Sequence, residues 1–275
     1  MHDIRLITLD LDGTLLTSEK QLTEGNLAAL EKAAAAGIEI VPATGRFYLG
    51  MPEVIRKLPF VHYVISVNGA TIEDVVRDKT VGGSLLPYED AVTIMEYLDA
   101  FPLIYDCYQD GWGWMTKSMY DRAADFSKSV HTLDMIRKLR TPVPDLKETL
   151  RERKRGIQKI GIFFGDMDVR AEMLERMPKD FPEFTITSSI RNNIEVNSRD
   201  ATKGNALKKL ADHLDLPMEK TMAFGDDLND VTMLECAGIG VAMGNGAEAA
   251  KKAADYVTDD CDHDGVAAAL AHFLK

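Results

Sequence analysis

Ile4-Arg5-Leu6-Ile7-Thr8-Leu9-Asp10-Leu11-Asp12-Gly13-Thr14 lies almost at the start of the chain. An apolar run leads into two aspartates one residue apart, and a glycine follows. The run from Ile4 to Leu9 reads as a strand buried on both faces. Residues i and i+2 of a strand point to one side, so Asp10 and Asp12 share a face. Two carboxylates held that close repel unless a cation or a shared proton relieves them. Gly13 permits a sharp chain reversal. In open α/β sheets, ligands bind at the carboxyl ends of the strands. A helix-capping aspartate followed by an Asp-Gly turn would also explain these five residues taken alone.

Three later segments reach past that alternative. Ile38 to Pro42 is apolar and is followed by Ala43-Thr44-Gly45-Arg46. Thr202-Lys203-Gly204 opens a helical pattern. Thr221 to Phe224 is strand-like and ends in Gly225-Asp226-Asp227-Leu228-Asn229-Asp230. In order, the chain supplies a carboxylate pair, a hydroxyl, a lysine and a second acidic cluster, each beside a glycine. With these four motifs it resembles the haloacid dehalogenase-like superfamily of phosphohydrolases. The resemblance is strongest to the Cof-type branch, which carries a large cap inserted after the hydroxyl motif. It covers nearly the whole chain and rests on the four motifs together; Ala-Thr-Gly-Arg or Thr-Lys-Gly alone would mean little.

Periodicity along the chain agrees with an α/β core. Thr23 to Ala36 has helical spacing and Gly37 is its stop. Ile38 to Val41 and Tyr63 to Val67 read as strands, the latter ending in Asn68-Gly69. Strand–helix–strand repetition implies a parallel, doubly wound, Rossmann-like sheet. From about Gly83 the pattern changes to adjacent strand pairs: Leu103 to Gln109 with Trp112 to Met115, and Phe184 to Ser188 with Asn193 to Asn197. Helices are expected at Tyr88 to Ala100, Ser118 to Lys128, Asp145 to Arg155 and Val169 to Met177, with Pro142-Val143-Pro144 breaking the chain. This is an α+β pattern, an antiparallel sheet with helices on one face. Helix–strand alternation returns at Ala206. The expected organisation is a catalytic core at 1–82 and 198–275 with a cap domain inserted at 83–197.

Composition narrows the function classes. The formal net charge of −12 works against nucleic-acid binding, and no basic stripe with interleaved aromatics appears. No apolar run approaches the roughly 20 residues that span a bilayer. No secretory signal is visible at the N-terminus. Cys107, Cys236 and Cys261 form no CxxC pair, so neither a disulfide framework nor a zinc site is suggested, and a cytoplasmic location fits.

Phosphate ester hydrolysis needs a nucleophile, an acid for the leaving group and positive charge near the phosphoryl group. Asp10 is the candidate nucleophile, forming an aspartyl-phosphate. Asp12 is the candidate general acid and later base, and adjacent charges are expected to raise its pKa. The resemblance implies the same two roles. It also implies magnesium, held by the Asp10 carboxylate, the Asp12 backbone carbonyl and Asp226, with Asp230 behind them and Asn229 orienting the phosphate. Asp227 falls at a variable position and receives no metal bond; a helix N-terminus would equally favour this acidic cluster. Thr44, helped by the Gly45 backbone, and Lys203 would hold the phosphate. Arg46 would bind a substrate phosphate or pair with a cap acid. Asn68 is a turn residue or a substrate contact.

The leading expectation is a magnesium-dependent phosphatase acting on a small phosphorylated metabolite. Sugar phosphates come first; flavin or pyridoxal phosphates stay open. A phospho-acceptor signalling module and a sugar phosphomutase are the alternatives. The sequence gives no oligomeric state.

Overall fold

The structure is a computed structural model describing residues 3–126, 129–188 and 190–274, without the side chains of 130–132. The chain divides into two compact units, Met1–Gly83 with Asp200–Lys275, and Ser84–Arg199. The strands in chain order are β1 (Leu6–Leu9), β2 (Glu39–Pro42), β3 (Tyr63–Ser66), β4 (Thr71–Asp74), β5 (Lys79–Gly82), β6 (Leu103–Gln109) and β7 (Trp112–Thr116). There follow β8 (Arg140–Val143), β9 (Lys159–Phe164), β10 (Phe184–Thr187), β11 (Asn193–Ser198), β12 (Thr221–Gly225), β13 (Ile239–Ala242) and β14 (Tyr256–Val257).

In the first unit, β14, β13, β12, β1 and β2 lie side by side in that order as a parallel sheet. β1 is buried at every position because both sheet faces are covered. Ile7 and Leu9 pack with Leu30 of the helix Glu24–Ala35 and with Val266 of the helix Gly265–Phe273. Leu6 packs on the other side, with Ala206, Leu207 and Leu210 of the helix Lys203–His213. A strand covered on both faces reads as an unbroken apolar run, which is why β1 was legible. The alternation of Leu6 and Thr8 continues into Asp10 and directs that carboxylate to the side of the Lys203 helix.

The strand expected over Tyr63–Val67 forms at Tyr63–Ser66 and joins the parallel sheet through a bridge of Ala43 with Ile65. It then folds back into β4 and β5 as a separate three-stranded antiparallel sheet. The reversal runs through Val67, Asn68 and Gly69, with φ of 49°, 56° and 97°.

The second unit is a six-stranded sheet ordered β10-β11-β9-β6-β7-β8, antiparallel except where β7 and β8 run together. Three expectations need correction here. Apolar clusters cover both sheet faces, not one: Tyr105 and Ile162 pack with Ile94 and Met173, while Ile104 and Phe163 pack with Ala123, Phe126 and Ile136. The helix expected near Ser118–Lys128 is two short helices, Lys117–Asp121 and Ala123–Phe126, and residues 127 and 128 lie outside the described residues. Pro142 does not break the chain but sits in β8 opposite Met115. β8 is an edge strand, where a missing N–H leaves no gap in the ladder. Charge is also buried on this sheet: Arg140 Nε lies 2.5 Å from Asp106, and Lys159 Nζ 2.8 Å from Glu195. Among the described residues no helix is long and apolar enough to cross a membrane.

Candidate active site

Asp10 follows β1 directly, and its N–H donates to the carbonyl of Phe224 in β12 at 3.0 Å. Lys203 is the first residue of its helix, whose start is fixed by Thr202 Oγ1 accepting the N–H of Asn205 at 3.1 Å. The helix turns Lys203 inward until the side chain is fully buried. Its ammonium donates to Oδ1 of Asp10 and to Oδ1 of Asp230, both at 2.6 Å. Asp230 Oδ2 in turn accepts the N–H groups of Asp226 and Asp227 at 2.9 and 3.1 Å. Both oxygens of Asp230 are thereby committed to fixing its neighbours. Asp227 caps this turn, its Oδ1 accepting the Leu228 N–H, so the helix-start reading and the clustered-carboxylate reading hold together.

Two glycines permit this closeness. Gly13 has φ +90°, and a Cβ there would lie 2.5 Å from Asp226 Oδ2. A Cβ at Gly225 would lie 2.3 Å from that of Asp230. Thr14 Oγ1 donates to Asp226 Oδ1 at 2.8 Å, and Asn245 Nδ2 braces the loop by donating to the Gly13 carbonyl at 2.8 Å.

Asp10, Asp226 and Asp230 each bring an oxygen within 4.8 Å of the others. One lysine faces these three carboxylates. Burial pushes Asp10 up to about 7, Lys203 opposing and Asp230 and Asp226 adding to the rise. Burial likewise pushes Asp226 up to about 6, against the Thr14 hydroxyl bond. For Lys203 burial works downward, but Asp10 and Asp230 override it and its pKa is raised. An all-oxygen donor set with surplus negative charge fits a hard divalent cation such as magnesium. Since both Asp230 oxygens already accept hydrogen bonds, Asp10 and Asp226 are the carboxylates available to such an ion.

Asp12 departs from expectation. Burial raises its pKa, but Lys20 and Arg46 outweigh that and the net shift is downward. Arg46 Nε donates to Oδ2 and Nη2 to Oδ1, both at 2.9 Å, while Lys20 Nζ lies 3.0 Å from Oδ1. The neighbouring charges that act on Asp12 are therefore cations, not the Asp10 carboxylate. Arg46 is the partner of Asp12 in this arrangement.

Thr44 Oγ1 accepts the N–H of Arg46 at 3.1 Å, which leaves its own hydrogen to donate elsewhere. The Thr44 carbonyl accepts the N–H of Asn68 at 3.0 Å. Asn68 Oδ1 accepts from Asn229 Nδ2 at 3.1 Å and lies close to Gly45, so these polar groups form one rim. Sequence reasoning did not single out Lys20, Asn245 or the role of Thr14. Thr14 belongs to the first motif, and Asn245 stands between two glycines, a pattern too short to signal a site.

A family model described as haloacid dehalogenase-like hydrolase matches residues 7–270. A 5-amino-6-(5-phospho-D-ribitylamino)uracil phosphatase of Bacillus subtilis is 33% identical over 272 residues, covering 99% of this chain and 96% of the relative. The phosphatase YwpJ of the same organism is 32% identical and covers 98% of this chain and 100% of its own. Among solved structures, a phosphatase of the haloalkanoate enzyme superfamily from Bacteroides thetaiotaomicron has a TM-score of 0.80 at 29% identity, covering 99% of this chain and 96% of that one.

Proposed function

The chain belongs to the haloacid dehalogenase-like hydrolase family and is a phosphoric monoester hydrolase; from that premise we propose that it is a magnesium-dependent phosphatase working through a phosphoryl group carried on Asp10. The observation that carries this reading is Lys203, which holds Asp10 and Asp230 at 2.6 Å while Asp226 adds a third carboxylate. A carboxylate so placed is fixed for attack, and the ammonium beside it opposes the rise that burial imposes on its pKa.

Asp10 attacks phosphorus as the ester P–O bond breaks. Asp12 gives its proton to the departing oxygen, then takes one from the water that attacks the phosphoryl group. Phosphate leaves and Asp10 is restored. The Thr44 hydroxyl, the Gly45 N–H, Lys203 and Asn229 hold the non-bridging oxygens, and Arg46 and Asn68 stand at the rim. Asp10, Asp226 and the Asp12 backbone carbonyl would hold magnesium, which when bound supplies positive charge to the phosphoryl oxygens.

The relative's name places its phosphate on a ribityl chain, which supports a phosphorylated polyol or sugar as the substrate class here. The motif residues address only phosphate and metal, groups common to every candidate, so discrimination is assigned to the inserted unit Ser84–Arg199. The test is turnover of p-nitrophenyl phosphate with magnesium and after exhaustive chelation. Turnover only with magnesium supports the reading. Full activity without metal, or stable self-phosphorylation without turnover, overturns it.

A further inference from the structure

Lys20 lies outside every motif that carries the chemistry above, yet the backbone is built to aim it. Residues Thr17 to Gln21 close a tight turn: Lys20 N–H donates to the Thr17 carbonyl at 2.8 Å, and Thr17 N–H to the Gln21 carbonyl at 2.9 Å. Asp262 Oδ1 ties the turn down through the Ser18 N–H at 2.9 Å and hydroxyl at 3.0 Å. Lys20 itself holds φ +63°, a left-handed conformation that a residue with a Cβ rarely adopts.

The lysine so aimed meets Asp12 at 3.0 Å, on a carboxylate already gripped by both arms of Arg46. Two cations on one carboxylate leave one positive charge in surplus. The lysine and arginine side chains are 53% and 41% exposed, so that surplus faces solvent. The cluster of buried Asp10, Asp230 and Lys203 with half-buried Asp226 has the opposite surplus. The guanidinium fork that fits a carboxylate fits phosphate oxygens equally well. Half-exposed ion pairs are individually weak, so exchanging one anion for another on these cations is easy. A carboxylate engaged by three such contacts is also not placed to protonate a leaving group.

We propose that Lys20 and Arg46 form an anion clamp that Asp12 occupies in the free protein and that the substrate phosphate takes over on binding. Asp12 is then released toward the leaving oxygen. Lys20 is a substrate-binding residue, and Asp12 is the clamp's own competitor. This rests on the reading of Asp12 as the acid given above.

The probe is inorganic phosphate, with affinity measured by calorimetry at fixed magnesium and salt. Four proteins are compared: wild type, Lys20→Ala, Asp12→Asn and the double variant. In the wild type Lys20 gives up Asp12 to gain phosphate, so Lys20→Ala weakens binding only about twofold. In the Asp12→Asn background nothing is given up, and the same change weakens it about tenfold. Asp12→Asn alone tightens phosphate binding. Equal losses from Lys20→Ala in both backgrounds, or none in either, would sink the clamp. Lys20→Arg should restore most of the affinity, which a general folding defect would not allow. Asp10→Asn separates the two claims: if it still turns over substrate, the functional reading fails. If it is inactive and the cycle is additive, only the clamp fails.

Discussion

In the first unit one lysine at 2.6 Å serves Asp10 and Asp230, with Asp226 close by. In the second, Arg140 faces Asp106 at 2.5 Å and Lys159 faces Glu195 at 2.8 Å, one cation to each carboxylate. Both arrangements are buried, and both set ionic groups against the cost of desolvation. They differ in charge balance. The matched pairs keep their cations charged: burial alone would lower Arg140 and Lys159, but Asp106 and Glu195 override it and both are raised. The centre of the Tyr108 ring lies 4.4 Å from the Arg140 guanidinium and 4.8 Å from Lys159 Nζ, adding to the same network. The unmatched cluster drives its carboxyls up instead, Asp10 to about 7 and Asp226 to about 6. A buried charge set that balances itself holds a fold. One that does not is arranged for a charge that arrives from outside.

Breaking each network should therefore do different things. Asp10→Asn is expected to lower kcat by at least about 10⁴-fold. Its thermal midpoint in the absence of metal should not fall, because Lys203 keeps Asp230 and a surplus negative charge is gone. A large loss of midpoint would mean that the cluster is structural, like the one in the second unit. Arg140→Met should have the reverse signature. It leaves Asp106 buried and unpaired and costs about 3–5 kcal/mol in urea unfolding. Replacing Asp106 by Leu as well should recover most of that. Indifference of Arg140→Met would show that balance is not what stabilises the second sheet.

Asp12→Asn probes the exposed edge of the first unit. Activity on alkyl phosphates should fall about 10²-fold or more, and on p-nitrophenyl phosphate far less, because a stable leaving group needs little protonation. Equal losses on both would remove Asp12 from the acid role.

The smallest effect is expected at Glu73, which belongs to neither network. Burial pushes its carboxyl up to about 7, the Ser66 hydroxyl bond opposing weakly, and Oε2 has no partner among the described residues. The folded protein then holds a proton that the unfolded chain releases near its usual 4.5. Stability is fully present below that value and falls as pH rises toward and through about 7. Glu73→Gln should flatten this slope and add on the order of 1–2 kcal/mol at pH 8, read by urea unfolding across pH. An unchanged slope would mean that Glu73 ionises without strain.

The α/β core and the inserted α+β segment were legible in the sequence because their signals are local. β1 is an unbroken apolar run, and the motifs pair a carboxylate, hydroxyl or lysine with a glycine within a few residues. What stayed hidden is what the tertiary fold brings together. Arg140 and Asp106 are 34 residues apart, and Lys159 and Glu195 are 36 apart. Each member alone reads as an ordinary solvated charge on a strand. The direction of the Asp12 shift is hidden in the sequence for the same reason: Arg46 comes from 34 residues away, and Lys20 reaches back from a turn. β8 was missed because Pro142 reads as a breaker, and its edge position appears only once β7 is placed beside it.

The central claim is that the unbalanced cluster is the chemical centre, with Asp10 carrying the phosphoryl group. It is tested most directly by mixing protein with a radiolabelled phosphate monoester and magnesium, quenching in acid within a turnover, and mapping the retained label. The account predicts label on the peptide containing Asp10 in the wild type, and none in Asp10→Asn or after metal removal. Turnover at full rate with no label at Asp10, or label that persists in Asp10→Asn, would contradict it.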